Sequence, residues 1–460
     1  MPCIRSLILL LILFTPRSLA LEPVTILTST EGFTPILECV SVHGNWIAGG
    51  FPYDDNETGA VYLYRCAGGV WSPSAKLFAS PPDWGDRFGE AVAIHGDVLV
   101  VGAPHNSFEF KHGADVGAAY VFRRDGELWV QEQILTPSIS HLRDLFGISV
   151  AVDEDTIAVG SFPLEQQPGH VFVFRWNGFQ WNEEAILVPS DLPLDSGFGW
   201  RMALDGDAVV ASAPPDGTPE GQWGSIYVFR REGASWSQEA KLVPNEPCSS
   251  SCFGHTVALD GDVLAGVDSG KVGVFRRSLG TWVEEAQVIG TDTVTRDGFG
   301  YALALKGTLL AVGAPYADRI SLPFAEGSAY LFGYDGETWA QRSKIVRPLI
   351  DAYFGSTVAL SETWMIVGTT PSQGGGPTYV YCVAQDAPCI PAVSQWGLLV
   401  LTLLLVTAGC IRLRRRTGPA TCLVLLVLPP LALGEDQRLQ YPHHPEQLLG
   451  GDGRPWRAGC

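Results

Sequence analysis

Positive charge is scarce in this sequence. Lysine and arginine total 30 against 49 aspartates and glutamates, a formal net charge of −19, and charged residues are only 17% of the 460 positions. So acidic a chain has no general affinity for nucleic acid or for anionic membrane surfaces, and no basic run appears before Arg412–Arg416. Catalytic signatures are missing too. There is no nucleophile elbow, HExxH helix, Walker loop or CxxC pair, and the nine histidines are scattered. The expectation is a protein that is not an enzyme. What is present in quantity is glycine (52) and tryptophan (14), the profile of a turn-rich all-β chain.

One stretch recurs. DRFGEAVAIHGDVLVVGAP (86–104) has counterparts beginning at Phe146, Phe198, Phe253, Phe299 and Phe354, and a degenerate copy beginning at Ile36. The starts are separated by 52, 58, 52, 55, 46 and 55 residues, a period that indicates blades or an array. Each unit continues with a glycine and an aromatic-rich run such as GAAYVF (117–122) or GSIYVF (224–229). A turn, a tryptophan (Trp71, Trp129, Trp181, Trp236, Trp282, Trp339) and a last apolar run follow. Four short strands per unit, repeated radially, make a β-propeller. The seventh unit, GPTYVYCV at 376–383, lacks a fourth strand, and EPVTILTST (22–30) resembles the missing piece. The N-terminal strand is therefore expected to close a seven-bladed ring, because an open array would leave both fragments with unpaired edges.

Phe-Gly followed by Gly-Ala-Pro at this spacing resembles the FG-GAP repeat of integrin α-subunit propellers and of many bacterial exported proteins. The resemblance covers residues 22–383 and implies an extracellular seven-bladed propeller that binds proteins or ligands through loops on one face. It also raises calcium, which many such repeats hold in a DxDxDG loop. Here the connection has shrunk to tight turns, His95-Gly96-Asp97, Asp205-Gly206-Asp207, Asp260-Gly261-Asp262 and Lys306-Gly307-Thr308. One or two carboxylates cannot supply the six to eight oxygens that calcium takes, whereas Asp-Gly is a hairpin-turn signal in itself. No cofactor is expected. The acidic loop Asp54-Asp55-Asn56-Glu57 follows the Gly-Ala-Pro position and reads as a solvated loop, with a cation site as the alternative.

The fixed place of the tryptophans reads as packing between blades, with sugar stacking as the rival. The loops after Gly-Ala-Pro vary most, and loops on a rigid scaffold carry specificity. Phe108, Phe110, Trp223 and Phe324 are the apolar groups in them, expected to line a face for a protein or glycan partner or else to fold back onto the propeller. A surface binding or adhesion role follows. The rivals are a propeller enzyme with its site at the central mouth and a passive envelope component.

Both ends look like processing segments. Residues 1–20 read as a secretory signal with cleavage after Ala20. Export makes disulfides plausible, and six cysteines follow it: Cys248 with Cys252, Cys382 with Cys389, and Cys39 with Cys66 as the remaining pair. After the propeller (21–384) comes a linker (385–397). Within it Ile390, Pro391, Trp396 and Gly397 resemble the IPTL-type C-terminal sorting signal, with Ala392 and Val393 departing from it. That resemblance implies an exosortase-like membrane protease as partner. The apolar run 398–413 is expected to be a transmembrane helix, with the following arginines keeping that end cytoplasmic. The tail 414–460 holds a second apolar patch, 421–433, and carries no motif with an assignable role.

Overall fold

The computed structural model describes residues 21–384 apart from 30–34, 36, 107–114, 163–167, 193–196, 215–223, 245–252, 269, 295, 318–325, 348–352 and 370–375. The chain divides into two units, Met1–Ser394 and Gln395–Cys460, and all of the second lies outside the described residues.

The first unit holds seven four-stranded antiparallel sheets. In chain order the first strands of the blades are Cys39–His43, Ala91–His95, Ser149–Asp153, Met202–Asp205, Val257–Asp260, Ala302–Lys306 and Thr357–Leu360. Each touches the corresponding strand of the next blade, and the seventh returns to the first, so these strands form the inner wall of a closed ring. The expected closure is there. Pro23–Ile26 pairs antiparallel with Tyr379–Cys382, Thr25 opposite Val380 and Ile26 opposite Tyr379. The strand beginning the described chain thus becomes the outer strand of the last blade.

Close approach explains the repeated motif. In the second blade the Gly89 N–H donates to the Gly102 carbonyl at 3.0 Å, and in the third Gly147 donates to Gly160 at 2.9 Å, so the Phe-Gly and Gly-Ala-Pro glycines of one unit are bonded to each other. The Gly147 carbonyl oxygen then presses on the Gly102 Cα of the preceding blade, where any side-chain carbon would overlap it. Gly50 and Gly89, and Gly313 and Gly355, meet in the same way. The phenylalanines of Phe-Gly are sealed in, Phe88, Phe146, Phe198 and Phe354 being wholly buried. They stand edge-on to the aromatic strand of their own blade, as Phe146 does to Phe172 at 5.2 Å and Phe88 to Tyr120 at 5.3 Å.

The tryptophans belong to the blade interfaces. Trp181 Nε1 donates to Glu132 Oε2 (3.2 Å), Trp236 to Glu184 (3.4 Å), Trp282 to Glu239 (3.1 Å) and Trp339 to Glu285 (2.8 Å). In each case the acceptor belongs to the fourth strand of the preceding blade, three residues after that blade's own tryptophan. Where the preceding blade has Ser74 at that place, the Trp129 indole N–H is buried without a partner, as is that of Trp71, which follows the blade closed by the N-terminal strand. The ladder accounts for the tryptophans as packing and hydrogen-bonding groups.

Glu239 is its busiest rung, accepting from Arg277 Nε (2.7 Å), Trp282 Nε1 (3.1 Å) and Arg230 Nε (3.2 Å). Burial pushes its carboxyl up, but those three donors outweigh burial and hold it below the ordinary value. Glu285 is lowered in the same sense, chiefly by Arg276. A depressed folded pKa stabilises the fold above the unfolded value of about 4.3 and loses that contribution as pH falls. Glu239→Ala leaves three donors without an acceptor and is expected to cost about 1–3 kcal/mol. Glu239→Gln should cost less and flatten the loss of stability below about pH 4, read by denaturant titration across that range. An unchanged acid limb in Glu239→Gln would contradict the assignment.

One expected disulfide is corrected. Cys39 and Cys66 are free thiols. Cys39 lies on the inner strand and Cys66 on the third strand, Ala60–Ala67, of the same blade, with Trp46–Phe51 between them. Two strand spacings separate them by about 10 Å or more, beyond the reach of a disulfide. Cys382 ends the innermost of the two strands flanking the closure seam; Cys248, Cys252 and Cys389 lie outside the described residues.

Candidate functional site at the mouth of the central channel

The inner strands surround a channel with a cavity at each end. At the turn end the cavity, about 410 Å³, is ringed by His43, His95, Asp153, Asp205, Asp260 and Lys306, the residues that enter the inner hairpins. These groups bind one another. Asp153 accepts from the Gly206 N–H, Asp205 from Gly261 and Asp260 from Gly307, each at 2.7 Å, so each carboxylate holds the turn of the next blade. His95 Nδ1 lies 2.8 Å from Asp153, and Lys306 Nζ lies 2.6 Å from Asp260. Asp97, the second residue of its turn, is ion-paired to Arg124 of its own blade. The turn carboxylates are therefore spent on the ring. Among the described residues no group of three or more His, Cys, Asp or Glu side chains is placed to hold a metal ion. In the acidic loop Asp54 pairs with Lys76 Nζ at 2.6 Å, while Asp55 and Asn56 take left-handed backbone conformations.

The opposite end is different. There the cavity, about 450 Å³, is walled by the residue after Phe-Gly in five of the seven blades and by the start of each inner strand. A small residue is the rule at the second position after Phe-Gly or its equivalent: Cys39, Ala91, Ser149, Thr256, Ala302 and Thr357. Three of these are tied to the glycine carbonyl of the next blade. Cys39 Sγ donates to Gly89 O at 3.2 Å and Ser149 Oγ to Gly199 O at 2.6 Å, and Thr256 Oγ1 donates to Gly300 O. Burial, with Glu90 second, pushes the Cys39 thiol up to about 12, so it is no nucleophile at neutral pH. The fourth blade alone breaks the rule, with Arg201.

Arg201 stacks on Trp200 at 5.1 Å and donates to the Trp200 carbonyl at 3.3 Å, and it forms no ion pair among the described residues. Glu38 and Glu90 face the same cavity from the first and second blades. Burial, with the Glu90 carboxylate next, raises Glu38; burial raises Glu90, against the lowering influence of Arg87 and Arg201. Glu90 Oε2 is buried without a hydrogen-bond partner. Arg87, the nearby cation, is taken by Glu57 Oε2 at 3.0 Å and lies over the Tyr53 ring. Tyr301 completes the wall, with His255 beside it at 6.3 Å between ring centres and Tyr316 at 5.9 Å. Burial and Arg201 both lower the His255 pKa, keeping that imidazole neutral at pH 7.

None of the apolar loop residues expected to bind a partner can be placed: Phe108, Phe110, Trp223 and Phe324 all lie outside the described residues. So do Ala20, the motif residues Ile390, Pro391, Trp396 and Gly397, and the apolar run 398–413. Among the described residues no helix is long and apolar enough to cross a membrane. Sequence reasoning passed over Glu38, Glu90 and Arg201. The available signal was the column after Phe-Gly, which reads Glu38, Glu90, Ile148, Trp200, His255, Tyr301, Ser356 down the seven units while its neighbours repeat.

Comparison with known proteins agrees with the repeat. The FG-GAP repeat model matches residues 71–122, 129–174, 181–229 and 282–332, and the IPTL-CTERM motif matches residues 389–415. No curated protein was found to match the chain. Among solved structures, one from Bacteroides fragilis described as a "putative 6-phosphogluconolactonase" is 13% identical, covering 70% of this chain and 86% of its own, with a TM-score of 0.48. That likeness is too distant to carry fold or activity across. The repeats and the C-terminal motif point to an exported or surface protein. Matched repeats, matched C-terminal motif and seven four-stranded blades make this chain an FG-GAP repeat β-propeller protein with an IPTL-type sorting motif.

Proposed function

We propose that the chain is an exported binding protein, tethered to the envelope through 398–413, that takes its ligand at the wide mouth of the channel without transforming it. One observation carries this reading: of the seven equivalent positions after Phe-Gly, five hold unlike side chains, Glu38, Glu90, Ile148, Tyr301 and Ser356, that converge on one cavity. A scaffold needs no particular residue there, so divergence among the units of one chain reflects what the mouth meets. The cavity volume falls in the range of small-molecule sites, about 300–1,000 Å³. The variable loops would widen the contact to a larger protein or glycan partner.

Ser356→Trp tests the location. The same position carries Tyr301 in the sixth blade, where the ring lines the cavity, so the frame accepts a large ring while the cavity is filled. Metabolite, peptide and glycan panels on the full chain are expected to return a ligand whose capture falls at least ~10-fold in Ser356→Trp, with the thermal melt unchanged. Capture that survives the substitution puts the site elsewhere on the propeller.

A second reading, a hydrolytic enzyme, is favoured by the raised Glu38 and Glu90 carboxyls, since a protonated and an ionised acid in one cleft can act as acid and base. Turnover of the captured ligand, abolished by Glu90→Gln, would replace binding by catalysis.

A further inference from the structure

Resting on the mouth as the ligand site, the geometry points to its ligand class: a small zwitterion bearing a primary ammonium and a carboxylate. The mouth holds separated charges of both signs. Glu38 and Glu90 stand on the first and second blades and Arg201 on the fourth, with the third blade between them. Arg201 is held back by its own Trp200, through the ring stack and the carbonyl bond, and meets no carboxylate. Glu90 Oε2 is buried with no donor.

A carboxylate oxygen buried without a donor, as Glu90 Oε2 is, is costly, and a scaffold built by repetition offers a cheaper alternative at that position. Arg201 replaces the small residue used by the six other blades, and Glu90 occupies a place filled by Ile148 or Ser356 elsewhere. A ligand cation beside Glu38 and Glu90, with its anion on the Arg201 fork, would pair all three. Charge-assisted bonds of that kind are the strong ones. Tyr301 lines the wall between, and His255 beside it, its pKa lowered by burial and Arg201, adds no competing charge. Free amino acids and short peptides with open termini share this chemistry, and the cavity has room for either.

The experiment is calorimetric titration of the full-length protein with four probes: L-alanine, tri-L-alanine, ethylammonium and propionate. One of the first two is expected to bind at least ~10-fold tighter than both half-molecules; L-alanine identifies a free amino acid, tri-L-alanine alone a peptide. Arg201→Gln should reduce the zwitterion to the level of ethylammonium, and Glu90→Gln should reduce it to that of propionate. Both variants must keep the wild-type melt, with Glu90→Asp restoring part of the affinity. Propionate or ethylammonium binding as tightly as the zwitterions overturns the proposal, as does the absence of saturation by either zwitterion. In that last case, a different ligand blocked by Ser356→Trp keeps the mouth as the site, while a ligand indifferent to Ser356→Trp removes both readings.

Discussion

A chain beginning at residue 29 is expected to lose most of the stability of one beginning at residue 21. The strand Pro23–Ile26 pairs along Tyr379–Cys382, the Leu27 N–H donates to the Thr378 carbonyl at 2.9 Å, and Glu22 pairs with Arg347 at 3.1 Å. Leu27 is 2% exposed. Loss of that side chain's burial removes about 2–3 kcal/mol, and three or four backbone bonds at about 1 kcal/mol each bring the total to about 5 kcal/mol. A whole domain holds only about 5–15 kcal/mol. The truncation also bares the edge of Tyr379–Cys382, which invites pairing with other chains. Calorimetry should therefore show a strongly lowered transition and concentration-dependent aggregation. A melt within a few degrees of the longer chain would mean that the ring closes without its N-terminal strand.

Phe146→Ala should be the most damaging single substitution among the repeated positions. The ring is wholly buried, packed edge-on at 5.2 Å against Phe172 and 6.2 Å against Phe174. Its backbone N–H also bridges the blades by donating to the Val116 carbonyl at 2.9 Å. A phenylalanine-to-alanine change at such a site costs about 3–5 kcal/mol, because the rigid sheets on either side cannot collapse into the cavity. Phe146→Leu should recover more than half of that. Denaturant midpoints at constant slope would measure both, and a loss below about 1 kcal/mol for alanine would remove Phe146 from the structural core of the motif.

The architecture was legible because repetition writes it seven times. The missing fourth strand of the last unit and the resemblance of 22–30 to that strand together announced the closure, which is a property of count and register. The turn reading rested on spacing and on Asp-Gly as a turn signal; the hydrogen bonds from Gly206, Gly261 and Gly307 give Asp153, Asp205 and Asp260 their task, and Arg124 pairs with Asp97. The mouth was not legible. Glu38, Glu90 and Arg201 come from three units, and only ring closure brings them to one cavity. Arg201 in particular, just before Met202–Asp205, reads as ordinary sequence until the small residues of the other six blades are aligned with it. Cysteine arithmetic failed at Cys39 and Cys66 because an even count says nothing of the strand lying between two partners.

A crystal structure of the full-length protein with the ligand retained from the binding panels is the most direct measurement of the central claim. The account predicts ligand density inside the channel mouth, within hydrogen-bonding distance of Glu90 and Arg201. Density confined to the outer loops, with the mouth holding only water, would contradict it.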